Sequence, residues 1–373
     1  MTTIFSPYQL KNLTLKNRIV MAPMTRSRAS NNIADELTAL YYAQRATAGL
    51  IISEGTPISP EGQGYLFNPG IYSQAQIEGW RLTTQSVHAL GGKIFAQLWH
   101  VGRVSHSSIQ PNEQQPVSAT SKTAVGAQAY AYNEAGEPEF IQASAPRPLS
   151  TIEVKRVVND FAIAAQNAID AGFDGVEIHA ANGYLFEQFM NPLVNDRDDE
   201  YSAQSLANRI RFTLEVVDAV VQKIGAQRVG IRFSPYGQVF DMPAYEETLE
   251  TYEALGLELA QRQLSYVHIM TQYQPTETQA EKEAVAARTT QLLHTMKAAI
   301  GDTTLILAGA LNLERAQDLI NQGLIDLAAF GQPFISNPDL VHRLQNNLAL
   351  TNPDRNTYYG GGAAGYIDYP PSL

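Results

Sequence analysis

The chain has 373 residues, 44% of them hydrophobic and 17% charged, with no cysteine and a formal net charge of −11. That apolar share builds a substantial core and excludes a disordered chain. The acidic balance argues against nucleic acid or an anionic membrane as partner, since phosphate contacts need clustered Lys and Arg, and the missing cysteine excludes disulfides, thiolate metal sites and a cysteine nucleophile together.

The N-terminal stretch MTTIFSPYQLKN lacks a basic segment followed by an apolar one, so no signal peptide is read, and no apolar run reaches membrane-spanning length. A cytoplasmic location is expected. Eight short runs rich in Val, Ile, Leu and Phe then recur. They are Arg18–Pro23, Leu50–Gly55, Lys93–Trp99, Gly175–Ala180, Val229–Ser234, Tyr266–Met270, Thr304–Ala308 and Leu327–Gly331. Each is too short for a long helix and too continuous for a one-sided strand, which predicts fully buried parallel strands.

Between strands three and four, residues Val101–Pro148 break the rhythm with Pro, Ser, Gln and Gly. They read as a long excursion over one barrel mouth, with room for a hairpin. A helix follows, with Ser150 as N-cap, Glu153 completing a capping box and Gly172 ending it. Further helical periodicity covers Ala203–Ile224, Tyr245–Gln261, Ala284–Ile300, Leu313–Asn321 and Asn337–Asn346, and the tail from Tyr358 reads as loop. The pattern predicts one domain over residues 1–373: a (β/α)8 TIM barrel with an N-terminal capping hairpin. A doubly wound open sheet is the rival, but the first strand runs into PMTRSRAS without the glycine of a phosphate turn.

In barrel enzymes the chemistry sits beyond the carboxyl ends of the strands. There stand Thr25, Gln97, His179, Asn182, Tyr184 and Arg232, all hydrogen-bonding groups. No metal-ligand spacing and no G-x-S-x-G elbow is present. Strands seven and eight end in Ala308-Gly309-Ala310 and Phe330-Gly331-Gln332, turns whose backbone N–H groups can reach a phosphate. Together these groups suit a large, planar, phosphorylated cofactor across the barrel mouth.

Several motifs then carry a resemblance over the whole length. HAANGYLFEQFMNP, NDRDDEYSAQSLANRIRF, NRIVMAPMTRSRA, AQLWHVGRVSH, FGQPFISNPDL and YYGGGAAGYIDYP resemble the flavin-dependent ene-reductases of the Old Yellow Enzyme family. The resemblance implies FMN as cofactor, NADPH or NADH as reductant, and an activated C=C bond as substrate. It implies that Tyr184 protonates the substrate while His179 and Asn182 hold its carbonyl oxygen. Thr25, Gln97 and Arg232 would address the flavin ring, with backbone contacts from Pro23, Met24 and Gly55, and Gly309, Ala310, Gly331 and Gln332 would hold the phosphate. Tyr65, Trp99 and Tyr359 would flank the substrate.

Two departures stand out. Gln332 occupies a place where relatives commonly carry the Arg that pairs with the FMN phosphate, and Ser202-Ala203 replaces a frequent Gly-Gly at the start of a helix. Two other readings stay open. A flavin-binding redox protein would need the cofactor residues but not Tyr184 or the His179/Asn182 pair. A different barrel enzyme would need a strand-end Lys or a ligand cluster, and Lys93 begins a strand. The expected partner is a small molecule, and the chain is expected to be a monomer or homodimer.

Overall fold

A computed structural model describes residues 2–272, 278–309 and 311–372. Its strands are β1 (Tyr8–Leu10), β2 (Leu13–Leu15), β3 (Ile19–Met21), β4 (Leu50–Pro57), β5 (Ile94–Trp99), β6 (Val117–Ser118) and β7 (Gln128–Tyr132). They continue with β8 (Pro138–Gln142), β9 (Arg147–Pro148), β10 (Gly175–Ala180), β11 (Val229–Phe233), β12 (Tyr266–Met270), β13 (Thr304–Ala308) and β14 (Leu327–Phe330). Helices α1 (Glu36–Ala43), α2 (Gln74–Ala89), α3 (Thr151–Asp170), α4 (Leu185–Met190) and α5 (Leu206–Ile224) lie in the first part. The rest are α6 (Thr248–Arg262), α7 (Gln279–Ile300), α8 (Leu313–Asn321), α9 (Gln332–Ser336) and α10 (Leu340–Gln345).

Eight parallel strands close in the order β10-β11-β12-β13-β14-β3-β4-β5, which is the (β/α)8 barrel that the sequence pattern predicts. Side chains alternate along each strand, so the two faces build two cores. Outward residues such as Ile51, Leu98, Ile178 and Leu305 meet the helices. Inward residues Val20, Leu50, Ile52, Phe95, Tyr266, Ile306 and Leu327 fill the cylinder. The β1–β2 hairpin supplies Leu10 and Leu15 to that same inner core and plugs the lower end. Gly175 and Gly230 make room for the two inner aromatics. A Cβ on Gly175 would meet the Phe95 ring at 2.6 Å, and one on Gly230 the Tyr266 ring at 2.2 Å.

The excursion after β5 does hold a hairpin, β7–β8, and β6 and β9 pair at its base. Helix α3 has the capping box of Ser150 and Glu153. Several elements differ from the pattern: α6 starts at Thr248 rather than Tyr245, α10 at Leu340 rather than Asn337, and α1 and α2 were not read. Helix α5 starts at Leu206, where Ser205 caps it, rather than at Ala203. Helix α7 starts at Gln279, because Thr278 and Glu281 form a capping box ahead of the apolar stripe. Helix α2 shows no clear apolar periodicity, and its signal is the Ser73/Gln76 capping box. Among the described residues no helix is long and apolar enough to cross a membrane.

Candidate active site

A cavity of about 1100 Å³ opens at the carboxyl ends of the barrel strands. Every described residue given a catalytic, cofactor or substrate role above lines it; Ala310 lies outside the described residues.

One wall comes from the turn after β10. Asn182 (φ 59°) and Gly183 (φ 75°) are both left-handed, which bends the chain sharply enough to bring three polar side chains to one opening. The turn is pinned from behind by Glu187, whose carboxylate accepts from the Gly183 N–H at 2.6 Å and the Ser234 hydroxyl at 2.6 Å. Ser234 Oγ in turn accepts the Asn182 N–H at 2.7 Å. The Asn182 side-chain oxygen accepts from Gln272 at 3.0 Å, which leaves its amide N–H groups as donors. Burial, with Arg232 and His268 nearby, holds the His179 imidazole well below its usual range, so it is neutral. Its Nδ1 accepts the Ala181 N–H at 3.4 Å, which puts the ring proton on Nε2 as a donor.

Tyr184 sits in an aromatic box. Its hydroxyl is 3.1 Å from that of Tyr65, and its ring meets Trp99 edge-on at 5.0 Å. Trp99 stacks on Tyr65 at 5.4 Å and on His179 at 6.0 Å. Burial raises both phenols well above the usual tyrosine range. Both stay protonated at neutral pH.

The floor is polar. Arg232 on β11 is 5% exposed, and its Nε–H is buried without an acceptor among the described residues. Burial lowers its pKa, with Glu177 acting the other way. Gln97 on β5 donates to Glu177, and Glu177 also pairs with His268 at 2.8 Å. A bulge in β4 between Ile52 and Gly55 re-aims that strand, and a Cβ on Gly55 would lie 2.4 Å from the Trp99 ring.

The opposite wall presents mostly backbone. Gly309 has φ 103°, and a Cβ there would meet the Thr271 carbonyl oxygen at 2.1 Å. Gly331 and Gln332 follow β14, and Arg315 and Lys282 line the same cavity. Those two cations went unread in the sequence, because both sit on exposed helix faces with ordinary charge patterning.

The C-terminal tail completes the rim. Arg26 donates to the carbonyls of Thr357, Tyr358 and Gly365, and Arg28 to those of Thr357, Gly362 and Ala364. This strap sets Tyr359, 51% exposed, edge-on to Phe140 of β8 at 5.8 Å. Glu177, His268, Glu187 and the strapping arginines were also missed. The first could have been found: a carboxylate two positions before His179 on one strand shares its inward face.

The family model for the NADH:flavin oxidoreductase / NADH oxidase family matches residues 3–351. The chain belongs to this family, the Old Yellow Enzyme family. It is 42% identical to 12-oxophytodienoate reductase 1 of Oryza sativa subsp. japonica over 369 residues, covering 98% of this chain and 92% of that protein. A solved structure of morphinone reductase in complex with tetrahydroNAD has a TM-score of 0.92 and 42% identity, covering 100% of this chain and 98% of that one. The old yellow enzyme homologue from Zymomonas mobilis matches with a TM-score of 0.89 and 36% identity, covering 99% of both chains. As a family member the chain is an FMN-binding oxidoreductase.

Proposed function

We propose that this chain reduces activated C=C bonds of α,β-unsaturated carbonyl compounds, using FMN and NADPH or NADH. The observation that carries this is Arg232. A buried guanidinium whose Nε–H has no acceptor is costly unless an electron-rich ligand lies against it. The other groups suit an isoalloxazine bearing a phosphate. Thr25, Gln97 and Arg232 would hold its polar ring edges, and backbone at Pro23, Met24 and Gly55 would pack beside it. The turns at Gly309, Ala310, Gly331 and Gln332 would hold the phosphate, with Arg315 and Lys282 supplying positive charge that Gln332 lacks.

When bound, FMN supplies the two-electron chemistry, taking hydride from the nicotinamide and delivering it to the carbon β to the carbonyl. His179 Nε2–H and the Asn182 amide would both donate to the carbonyl oxygen. Negative charge grows on that oxygen during the reaction, so the pair acts most on the transition state. A neutral imidazole is suited to this, because it donates without a standing charge. Tyr184 would give its proton to the α-carbon, and the Tyr65 hydroxyl 3.1 Å away would donate to the phenolate left behind. Trp99 and Tyr65 form a flat wall that keeps water from the reacting carbons, and Tyr359 would touch the outer substituents.

The test is direct. The chain reconstituted with FMN should be yellow, bleach anaerobically with NADPH and regain its colour on adding cyclohexenone. Bleaching without recovery favours a flavin-binding redox protein with no alkene substrate.

A further inference from the structure

Glu177 plays no part in the carbonyl or proton chemistry, yet it lies fully buried beneath the cavity floor with two strong partners. Its Oε1 accepts from Gln97 Nε2 at 2.8 Å and its Oε2 pairs with His268 Nδ1 at 2.8 Å. Strand register places these groups side by side: Gln97 on β5 pairs with Glu177 on β10, and Arg232 on β11 with His268 on β12. Burial pushes the Glu177 carboxyl up, but His268, Arg232 and the Gln97 amide outweigh it and hold the group below its usual range.

An ionised carboxylate can only accept hydrogen bonds. The Gln97 amide must therefore turn its NH2 toward Glu177. Its carbonyl oxygen, which has no donor among the described residues, is the end left for the cavity that Gln97 lines. An unrestrained amide would present either end. We infer that Glu177 is a positioning residue that locks Gln97 as a hydrogen-bond acceptor, so that the site selects a flavin with a free imide N–H. The inference rests on the FMN reading above. It makes chemical sense of the neighbouring groups: a flavin pyrimidine edge offers acceptor, donor and acceptor in turn. The Thr25 hydroxyl and the Arg232 guanidinium are donors suited to its two oxygens, and the Gln97 carbonyl to the N–H between them.

The experiment compares the affinity of the full-length apoprotein for FMN and for 3-methyl-FMN, which lacks that N–H. Wild type should prefer FMN by about tenfold or more, since methylation leaves a buried acceptor unmet. In Glu177→Gln the preference should shrink severalfold, because the lock on the amide is gone. In Glu177→Asp, which still only accepts, it should persist. A role in folding alone would weaken both ligands together and leave their ratio unchanged, as would a simple clash with the methyl group. An unchanged ratio in Glu177→Gln overturns the inference. If that variant does not fold, Gln97→Leu reads the same ratio with the Glu177–His268 pair intact, and a ratio equal to wild type there also overturns it. A wild type that binds both flavins equally sinks this inference alone, whereas one that binds neither sinks the FMN reading.

Discussion

The inner surface of the barrel divides into two halves that differ in kind. Strands β5, β10, β11 and β12 carry Gln97, Glu177, His179, Arg232 and His268 inward, and the side chains do the work. Strands β13, β14, β3 and β4 carry Ile306, Ala308, Leu327, Ala329, Val20, Leu50 and Ile52 inward, and their upper ends offer backbone at Gly309, Gly331, Pro23 and Met24. The difference fits what each half would address in the proposed function. Specific ring atoms and a reacting carbonyl need placed donors and acceptors. A phosphate can be met by peptide N–H groups, which need glycine for close approach rather than a particular side chain. In the polar half Glu177 ties Gln97 to His268 by hydrogen bonds, while Arg232 Nε and His268 Nε2 are buried without partners among the described residues.

If that division is right, changes in the polar half should be severe and specific. His179→Ala should lower turnover of an enone by roughly 10²- to 10³-fold, the loss typical of one oxyanion donor, and should abolish the long-wavelength band formed with a bound phenol. An intact band would detach His179 from the carbonyl site.

Two buried carboxyls stand behind the site, Glu54 on β4 beside β5 and Glu187 on α4 after β10. Burial raises Glu54, behind Gly55, and Glu187, behind the Asn182 turn, to about 7. The folded state binds these protons more tightly than the unfolded one. Their contribution to stability is full below about 4.5 and falls as pH rises through 7. Glu54→Gln should therefore unfold with less pH dependence than wild type between pH 5 and 8, by on the order of 2–3 kcal/mol in urea titrations. Parallel pH curves would remove Glu54 from this account.

Arg232→Met should weaken FMN binding roughly tenfold and lower the flavin potential, since the group lost is a buried cation. A raised potential would contradict its placement. The backbone half should respond least. Gln332→Arg should tighten FMN only severalfold and steepen its salt dependence, because one partly exposed charge is added to a site that, on the proposed reading, peptide N–H groups and Arg315 would already serve. No gain would mean that Arg315 and Lys282 already meet the phosphate's charge.

The sequence made the barrel readable because parallel strands buried on both faces leave continuous apolar runs such as Thr304–Ala308 and Gly175–Ala180. The polar residues at strand ends were legible for the same reason, as interruptions in an apolar context. Helix α2 was not, because its sequence QAQIEGWRLTTQSVHA mixes polar and apolar residues and only its capping box marks it. The strap of Arg26 and Arg28 on the C-terminal tail joins residues more than 300 positions apart through backbone carbonyls, which no side-chain pattern records. Glu187 and Glu177 were hidden differently: each looks like a lone acid in an apolar run until its partners on other strands are known.

In the proposed function the phenol of Tyr184 protonates the substrate and takes no part in loading the cofactor with electrons. Stopped-flow measurement of the two half-reactions in Tyr184→Phe tests it. Reduction by NADPH should proceed at the wild-type rate, while reoxidation by cyclohexenone should slow by roughly 10²- to 10⁴-fold. An unchanged reoxidation rate, or equal slowing of both half-reactions, would contradict the account.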